Sequence, residues 1–263
     1  MKTDVANRLI WYKGKIVNVN DAMINVLAPT SQFGLNVFEG IPCYWNDDEK
    51  QLYAFRLEAH YDRLLRSARL IQINCPYTKA DMKAALVEVV KANEYDENLS
   101  VRQTLFVDGF GSWGSAEPVD MFVAPIPKGR TSAEYDTCIF LNDAGKVAEG
   151  PGSCFFMVKN GTIITPKLTD SVLESITRDT IIKLAKIKGY PLVERSIDRT
   201  ELYTCDEAFL CGSAMEITPI LSVDGYEINN KEAGKITTDL HKTYLDVARG
   251  KIVELRDWVT AIY

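Results

Sequence analysis

The residues of this 263-residue chain with types and settings suited to chemistry point to anion binding and charge pairing rather than to metal binding. Ile176-Thr177 stands where a helical stretch, Ser175 to Lys188, begins. A helix start offers backbone N–H donors and the positive end of the dipole to an anion. Thr177, and farther along Ser213, would add hydroxyls, although Thr177 also reads as an ordinary helix-start residue. Glu149 lies in a glycine-rich strand end, Ala148-Glu-Gly-Pro-Gly152, where it is either a carboxylate paired with a buried cation or an exposed loop acid. Arg102 stands in Ser100-Val-Arg-Gln-Thr104, a strand whose apolar continuation suggests burial. An arginine on the pocket side of such a strand suits a carboxylate by bidentate pairing, and the alternative is an arginine on the solvated strand face. Arg63 alone reads as a solvated helix charge, His60 as a packed structural histidine, and Cys154 as a small buried hydrophobe. Gly109-Phe-Gly-Ser-Trp-Gly114 fits the G-x-G-x-x-G pattern, but dinucleotide binding needs a helix opening at those glycines. Pro118, a polar run and another strand follow instead, so a loop is expected. The six cysteines are scattered with no close pair at metal-ligand spacing.

The elements that must position these groups alternate, which predicts an α/β protein. Leu9–Tyr12 and Lys15–Val19 form a hairpin signal around Lys13-Gly14. Leu57, Tyr61, Leu64, Leu65, Ala68 and Ile71 recur at helical spacing, and Asp81 to Ala92 gives a second helix. Strands are expected at Val101–Val107, Met121–Ala124, Cys138–Leu141, Phe155–Val158, Thr162–Thr165, Glu207–Cys211 and Ile220–Val223, with turns at Asn160-Gly161 and Asp224-Gly225. A last helix is expected from about Thr238 to Val253, and the breaker-rich segment 125–132 is the linker candidate. A net charge of −6 argues against bulk nucleic-acid binding. The opening MKTDVANRL lacks the apolar core of a secretory signal, and no apolar run approaches bilayer-spanning length. A reduced, cytoplasmic setting without membrane contact is therefore expected.

Five islands carry more together than apart. They are Phe33-Gly-Leu-Asn-Val-Phe-Glu-Gly-Ile41, Phe55-Arg-Leu-Glu-Ala-His-Tyr-Asp-Arg-Leu64, Val147-Ala-Glu-Gly-Pro-Gly-Ser-Cys-Phe-Phe156, Leu173-Glu-Ser-Ile-Thr-Arg-Asp179 and Cys211-Gly-Ser-Ala-Met-Glu-Ile-Thr-Pro219. Their order and spacing, over nearly the whole chain, resemble the class IV (fold-type IV) aminotransferases that use pyridoxal 5'-phosphate (PLP), and most of all the branched-chain amino acid aminotransferases. The resemblance implies an α/β (α+β) fold with a small N-terminal domain (1–124), a linker (125–132) and a larger C-terminal domain (133–263), the cofactor lying between them. It implies a PLP site of Arg63, Glu149, Ile176, Thr177, Ser213 and Ala214. In that site Glu149 faces the pyridine nitrogen, and the others, with Arg63, face the phosphate. Phe38 and Arg102 would meet the substrate, although Phe38 serves equally as a core aromatic. Ser100 and Phe33 stand where tyrosines are common in the family. The implied reaction moves an amino group between an apolar amino acid and a 2-oxo acid, in a homodimer.

One family feature is missing. The Schiff-base lysine belongs at the start of a strand–helix unit between the linker and the strand leading to Glu149. Here Arg130-Thr-Ser-Ala-Glu-Tyr-Asp-Thr-Cys-Ile-Phe-Leu141 runs almost directly from one to the other. The larger domain is thus expected to be shortened, the covalent anchor and general base to be lost, and transamination to be lost or altered. Lys146, in a turn, is expected to be a solvated charge, and Lys128 is a weak candidate for a substitute amine. The alternative reading is a lysine-less relative that binds PLP or another phosphorylated ligand non-covalently.

Overall fold

Residues 7–109, 115–127 and 137–263 are described by the computed structural model of the chain. The segment Gly109–Gly114 and the linker 125–132 therefore fall largely outside them, as does Lys128. Lys13 and Gly14, both at positive φ, turn β1 (Leu9–Tyr12) back into β2 (Lys15–Asn18). The short α1 (Pro29–Phe33) ends at Gly34 in the left-handed region and releases the long strand β3 (Asn36–Asn46). There follow β4 (Gln51–Phe55), α2 (Leu57–Leu70), α3 (Lys79–Ala92), β5 (Leu99–Val107) and β6 (Val119–Pro127). Along α2 the buried residues Leu57, Tyr61, Leu64 and Ala68 recur every three to four positions, one stripe facing the sheet. Thr78 and Asp81 close a reciprocal capping box at the start of α3, which buries Met82, Ala85, Leu86, Val89 and Val90. These helical stripes form one core with Ile41, Cys43, Val101, Leu105 and Val123 from alternate positions of the strands. The opposite sheet face carries a smaller cluster around Ile10, Tyr12 and Phe106.

The second unit is built around β8 (Ser153–Lys159). The two-residue β7 (Glu149–Gly150) pairs with its start. Asn160-Gly161, both at positive φ, turns it into β9 (Thr162–Thr165). From β9 the chain crosses through α4 (Ile176–Ile187) to β10 (Leu192–Glu194), parallel to β9, as a crossover helix permits. Then come β11 (Glu207–Gly212), β12 (Glu216–Pro219), the small hairpin β13 (Ser222–Val223) and β14 (Tyr226–Glu227), and α5 (Lys235–Ala248). The main sheet runs β10-β9-β8-β11-β12, with β7 beside β8. Directly opposed residues of antiparallel strands share a face, so Phe156 and Phe209 stack across β8 and β11 with centroids 5.0 Å apart. Phe155, Met157, Ala208 and Leu210 fill the other face with Ile197, Leu202 and Ile228.

The chain then returns. Ala248–Tyr263 form one compact unit with Met1–Arg130, and Thr131–Val247 form the other. The last strand, β15 (Val259–Ala261), pairs antiparallel with β4 and completes a seven-stranded sheet of order β15-β4-β3-β5-β6-β1-β2. The segment 248–263, expected with the second half, thus packs with the first, because the open edge of β4 takes its backbone hydrogen bonds. Three element expectations also change. Cys138–Leu141 is not a strand: Phe140 exchanges hydrogen bonds with Glu149 and Ala148, and Leu141 bridges Val147, without a ladder. Of Ile220–Val223 only Ser222–Val223 is strand, while Glu216–Pro219 ahead of it pairs with β11. The last helix stops at Ala248, and Gly250 follows at a φ of +69°.

Candidate functional site

In the second unit Glu149, Cys154 and Cys211 lie in one row, since Glu149 opposes Cys154 across β7 and β8, and Cys154 opposes Cys211 across β8 and β11. Their side chains share a face. Glu149 Oε2 accepts the N–H of Leu173 at 2.9 Å, and the Cys154 thiol lies 3.7 Å from the same oxygen and from the Leu173 carbonyl. Burial, reinforced by the charge of Glu149, pushes the Cys154 thiol up to about 12, so it stays protonated as a weak donor. Leu173 immediately precedes the N-terminus of α4. Ser175 caps that helix by accepting the N–H of Arg178 at 3.3 Å. The N–H groups of Ile176 and Thr177, first and second in the helix, have no intrahelical acceptor by geometry. Thr177 is buried, with its side chain in the first turn. A carboxylate and a helix start are thus tied to one another through a single residue.

Ser213 and Ala214 form the turn between β11 and β12. Gly212 ahead of them lies against the Pro151-Gly152 turn, and a Cβ at Gly212 would stand 2.9 Å from the Gly152 carbonyl. The β11–β12 turn therefore sits beside the glycine-rich turn that follows Glu149. Arg178, buried in the first turn of α4, donates to Pro166 O at 2.8 Å and to Glu194 at 2.6 Å, fastening the helix start to β9 and β10. The sequence expectation did not single out Leu173, which acts through its main-chain N–H, or Ser175 and Arg178, which act through their side chains.

The first unit holds the other candidates. Arg63 is not a solvated charge: its Nε and Nη2 donate to the two oxygens of Glu39 at 2.7 and 2.6 Å. Glu39 also takes His60 Nδ1 at 2.8 Å, and both Glu39 and His60 are buried. Desolvation lowers the pKa of His60 despite Glu39, so the ring is neutral and its proton faces the carboxylate. Burial alone would raise the pKa of Glu39, but the hydrogen bonds from Arg63 and His60 outweigh it and hold Glu39 ionised. Glu39 is a residue that sequence reasoning missed. Its signal was an acid in the apolar run Val37-Phe-Glu-Gly-Ile41.

Arg102 is exposed rather than buried, because at the start of β5 Leu99 and Val101 face the core while Ser100 and Arg102 face away from it. Its guanidinium lies 3.7 Å from the centre of the Phe38 ring, and Phe38 is itself 52% exposed. Phe38 is thus not a core aromatic; the two form a surface platform of a cation on a ring. A groove lined by Trp45, Asp47, Glu97, Asn98, Arg249 and Lys251 includes none of the candidate residues. Lys146 pairs with Asp198, and among the described residues no cluster could hold a metal ion.

The family model described as amino-transferase class IV matches residues 36–134 and 130–223. The branched-chain-amino-acid aminotransferase of Pseudomonas aeruginosa is 32% identical over 302 residues, covering 97% of this chain and 97% of its own. Among solved structures, a branched-chain aminotransferase from Thermoproteus uzoniensis with norvaline superposes with a TM-score of 0.90 at 35% identity, covering 97% of this chain and 99% of that one. A branched-chain amino acid aminotransferase from Thermobaculum terrenum in its PLP form gives 0.89 at 32% identity, covering 99% and 100%.

Proposed function

The chain belongs to the class IV aminotransferases, with the mixed α/β, fold-type IV architecture of the branched-chain enzymes, and from that membership we propose a protein that binds PLP reversibly but transaminates branched-chain amino acids very slowly or not at all. The observation that carries the binding half is the link at Leu173, whose N–H holds the carboxylate of Glu149 just before the start of α4. The donor set fits the cofactor. The N–H groups of Ile176 and Thr177, with the hydroxyls of Thr177 and Ser213, suit a phosphate dianion, and the family resemblance assigns Arg63 to the phosphate as well. Gly212 lets the Ser213-Ala214 turn pack against the Pro151-Gly152 turn that follows Glu149, since a Cβ there would stand 2.9 Å from the Gly152 carbonyl. Glu149 would keep a proton on the pyridine nitrogen, and Arg102, beside Phe38, would take a substrate carboxylate.

Bound PLP supplies the electron sink for the bond broken at the substrate α-carbon. On this reading no amine among the described residues carries a proton between that carbon and the cofactor's C4'. Lys146 is engaged by Asp198, and Lys128 lies outside the described residues. An internal loss is supported by length: the Pseudomonas match runs over 302 residues against a chain of 263. It is also supported by the family model's matching in two stretches that meet at 130–134. The test is to incubate the protein with PLP, reduce with borohydride and map any pyridoxyl-lysine by mass spectrometry. Scattered, substoichiometric labelling is expected. Stoichiometric labelling of one lysine, with leucine and 2-oxoglutarate turnover lost on its mutation, overturns the proposal, and Lys128 is the first position to inspect.

The substrate side is that of an amino acid and a 2-oxo acid. A homodimer is the assembly we propose, supported by Met23, Val26, Leu27 and Phe33, exposed at 72, 73, 54 and 59% on the first unit. A stable monomer in sedimentation at on the order of micromolar concentration would count against it. Six cysteines, none of them in a disulfide, agree with a reducing, cytoplasmic setting. No helix among the described residues is long and apolar enough to cross a membrane.

A further inference from the structure

We propose that Glu39 is a positioning residue for phosphate binding, setting through its buried carboxylate where the guanidinium of Arg63 is held. The proposal rests on the cofactor reading above, in which Arg63 meets the phosphate.

The geometry is specific. Glu39 sits on β3, opposite Gln103 of β5, with its side chain 2% exposed. A carboxylate in that position is costly unless it is fully paired. Three hydrogen bonds satisfy it: Arg63 Nε to Oε1 at 2.7 Å, Arg63 Nη2 to Oε2 at 2.6 Å, and His60 Nδ1 to Oε2 at 2.8 Å. His60 and Arg63 are three residues apart on α2, so they project from the same helix face onto one acid. Two parallel N–H···O bonds fix the plane of a guanidinium as well as its distance, which a single bond does not. His60, 1% exposed and neutral, closes the remaining approach to Oε2 and locks the carboxylate's own orientation. Arg63 therefore does not search for its anion. Its Nε–Nη2 edge is committed to the sheet, and the orientation is fixed before any ligand arrives.

Charge and position make opposite forecasts here. As a charge, Glu39 repels a phosphate dianion, and removing it would tighten binding. As a clamp, its loss frees Arg63 to adopt other rotamers, and binding weakens. Glu39→Asp separates them, because it keeps the charge and withdraws the carboxylate by one methylene. Glu39→Gln is the second variant. It keeps the length but sets an amide N–H2 against a guanidinium or imidazole donor, so at least one of the three bonds is lost.

The experiment measures the dissociation constants of PLP and of pyridoxal, which lacks the phosphate, by absorbance titration of the full chain, with thermal melts in parallel. The expected result is a preference of wild type for PLP over pyridoxal. Both Glu39 variants should weaken PLP roughly tenfold, the scale of one charge-assisted hydrogen bond, and leave pyridoxal unchanged. In an Arg63→Ala background, Glu39→Asp should have no further effect on PLP. A role confined to folding would lower both ligands together or the melt alone, and would overturn the proposal. So would PLP binding that Arg63→Ala weakens but Glu39→Asp leaves intact or tightens, with the cofactor reading still standing. Absence of any preference for PLP in wild type overturns that reading and this proposal together. Should Glu39→Gln fail to fold, Glu39→Asp decides.

Discussion

Cys154 touches Glu149, the acid proposed to face the cofactor, yet it is chemically quiet. With its thiol pushed up to about 12 by burial, it has almost no thiolate at neutral pH, and Cys211 beside it is raised by complete burial. Iodoacetamide should therefore label exposed Cys138 and spare Cys43, Cys154 and Cys211 in the folded protein, as peptide mapping would read out. Prompt labelling of Cys154 would mean that the Leu173 segment opens. Thr177→Val keeps the shape of a buried side chain and removes its hydroxyl. PLP affinity should fall by roughly tenfold with pyridoxal unaffected, since only the phosphate loses a donor. At this scale the sequence was legible where residue type and neighbours agreed. Glu149 among glycines and Thr177 at a helix start were both recognisable, and both lie where those features predict. Arg102 was misjudged because the continuous apolar run of β5 concealed its alternation, and Glu39 was passed over because its partners are 21 and 24 residues away.

At the scale of elements, the termini of the helices decide more than their interiors. The carboxylate of Glu207, on β11, accepts the N–H groups of Ile236 and Thr237 at 3.1 and 2.8 Å and so caps α5 from a distant strand. Gly234 permits this approach, since a Cβ there would stand 1.9 Å from Glu207 Cδ. Glu207→Ala is expected to cost about 1–2 kcal/mol, and Gly234→Ala to displace the same cap, both visible as earlier urea midpoints. A second clamp answers to acid. Arg195 pairs bidentately with Glu201 at 2.8 and 2.6 Å, and its hydrogen bonds, with the Asp198 backbone, hold that carboxyl down at about 2. A depressed folded pKa stabilises the fold above the ordinary carboxylate range, and this contribution disappears as pH falls from about 4 toward 2. After discounting for solvent screening it is ~1 kcal/mol. The melting difference between wild type and Glu201→Gln should therefore be present at pH 7 and absent near pH 2. Periodicity identified α2, α4 and the Asn160-Gly161 hairpin because local pattern and tertiary packing agree there. It missed β12, where Pro219 and the Gly212-Ser-Ala turn argue against a strand that is made only by pairing with β11. It also carried α5 past Ala248, because apolar residues continue at helical spacing across Gly250.

For the molecule as a whole, the division of the chain has a spectroscopic counterpart. Among the described residues the tryptophans Trp11, Trp45 and Trp258 all belong to the unit formed by Met1–Arg130 and Ala248–Tyr263. Tryptophan fluorescence in urea should follow that unit alone, while far-UV circular dichroism follows both, so the two transitions are expected to part. Coincident curves would show one cooperative fold. The resemblance over five islands was legible at this scale, but the boundary was not, because nothing in Val259-Thr-Ala261 announces a partner as remote as β4. That pairing has a consequence in time. A ribosome delivers the chain from its first residue, so β4 must wait through the synthesis of the entire second unit with its backbone edge unpaired and Leu52, Ala54 and Phe55 incompletely covered. The nascent protein thus carries an open sheet edge for most of its emergence, and the last strand made is the one that closes it. At typical synthesis rates of 5–20 residues per second, that exposure lasts about ten to forty seconds, long enough for chaperone capture or for pairing with a neighbouring nascent chain.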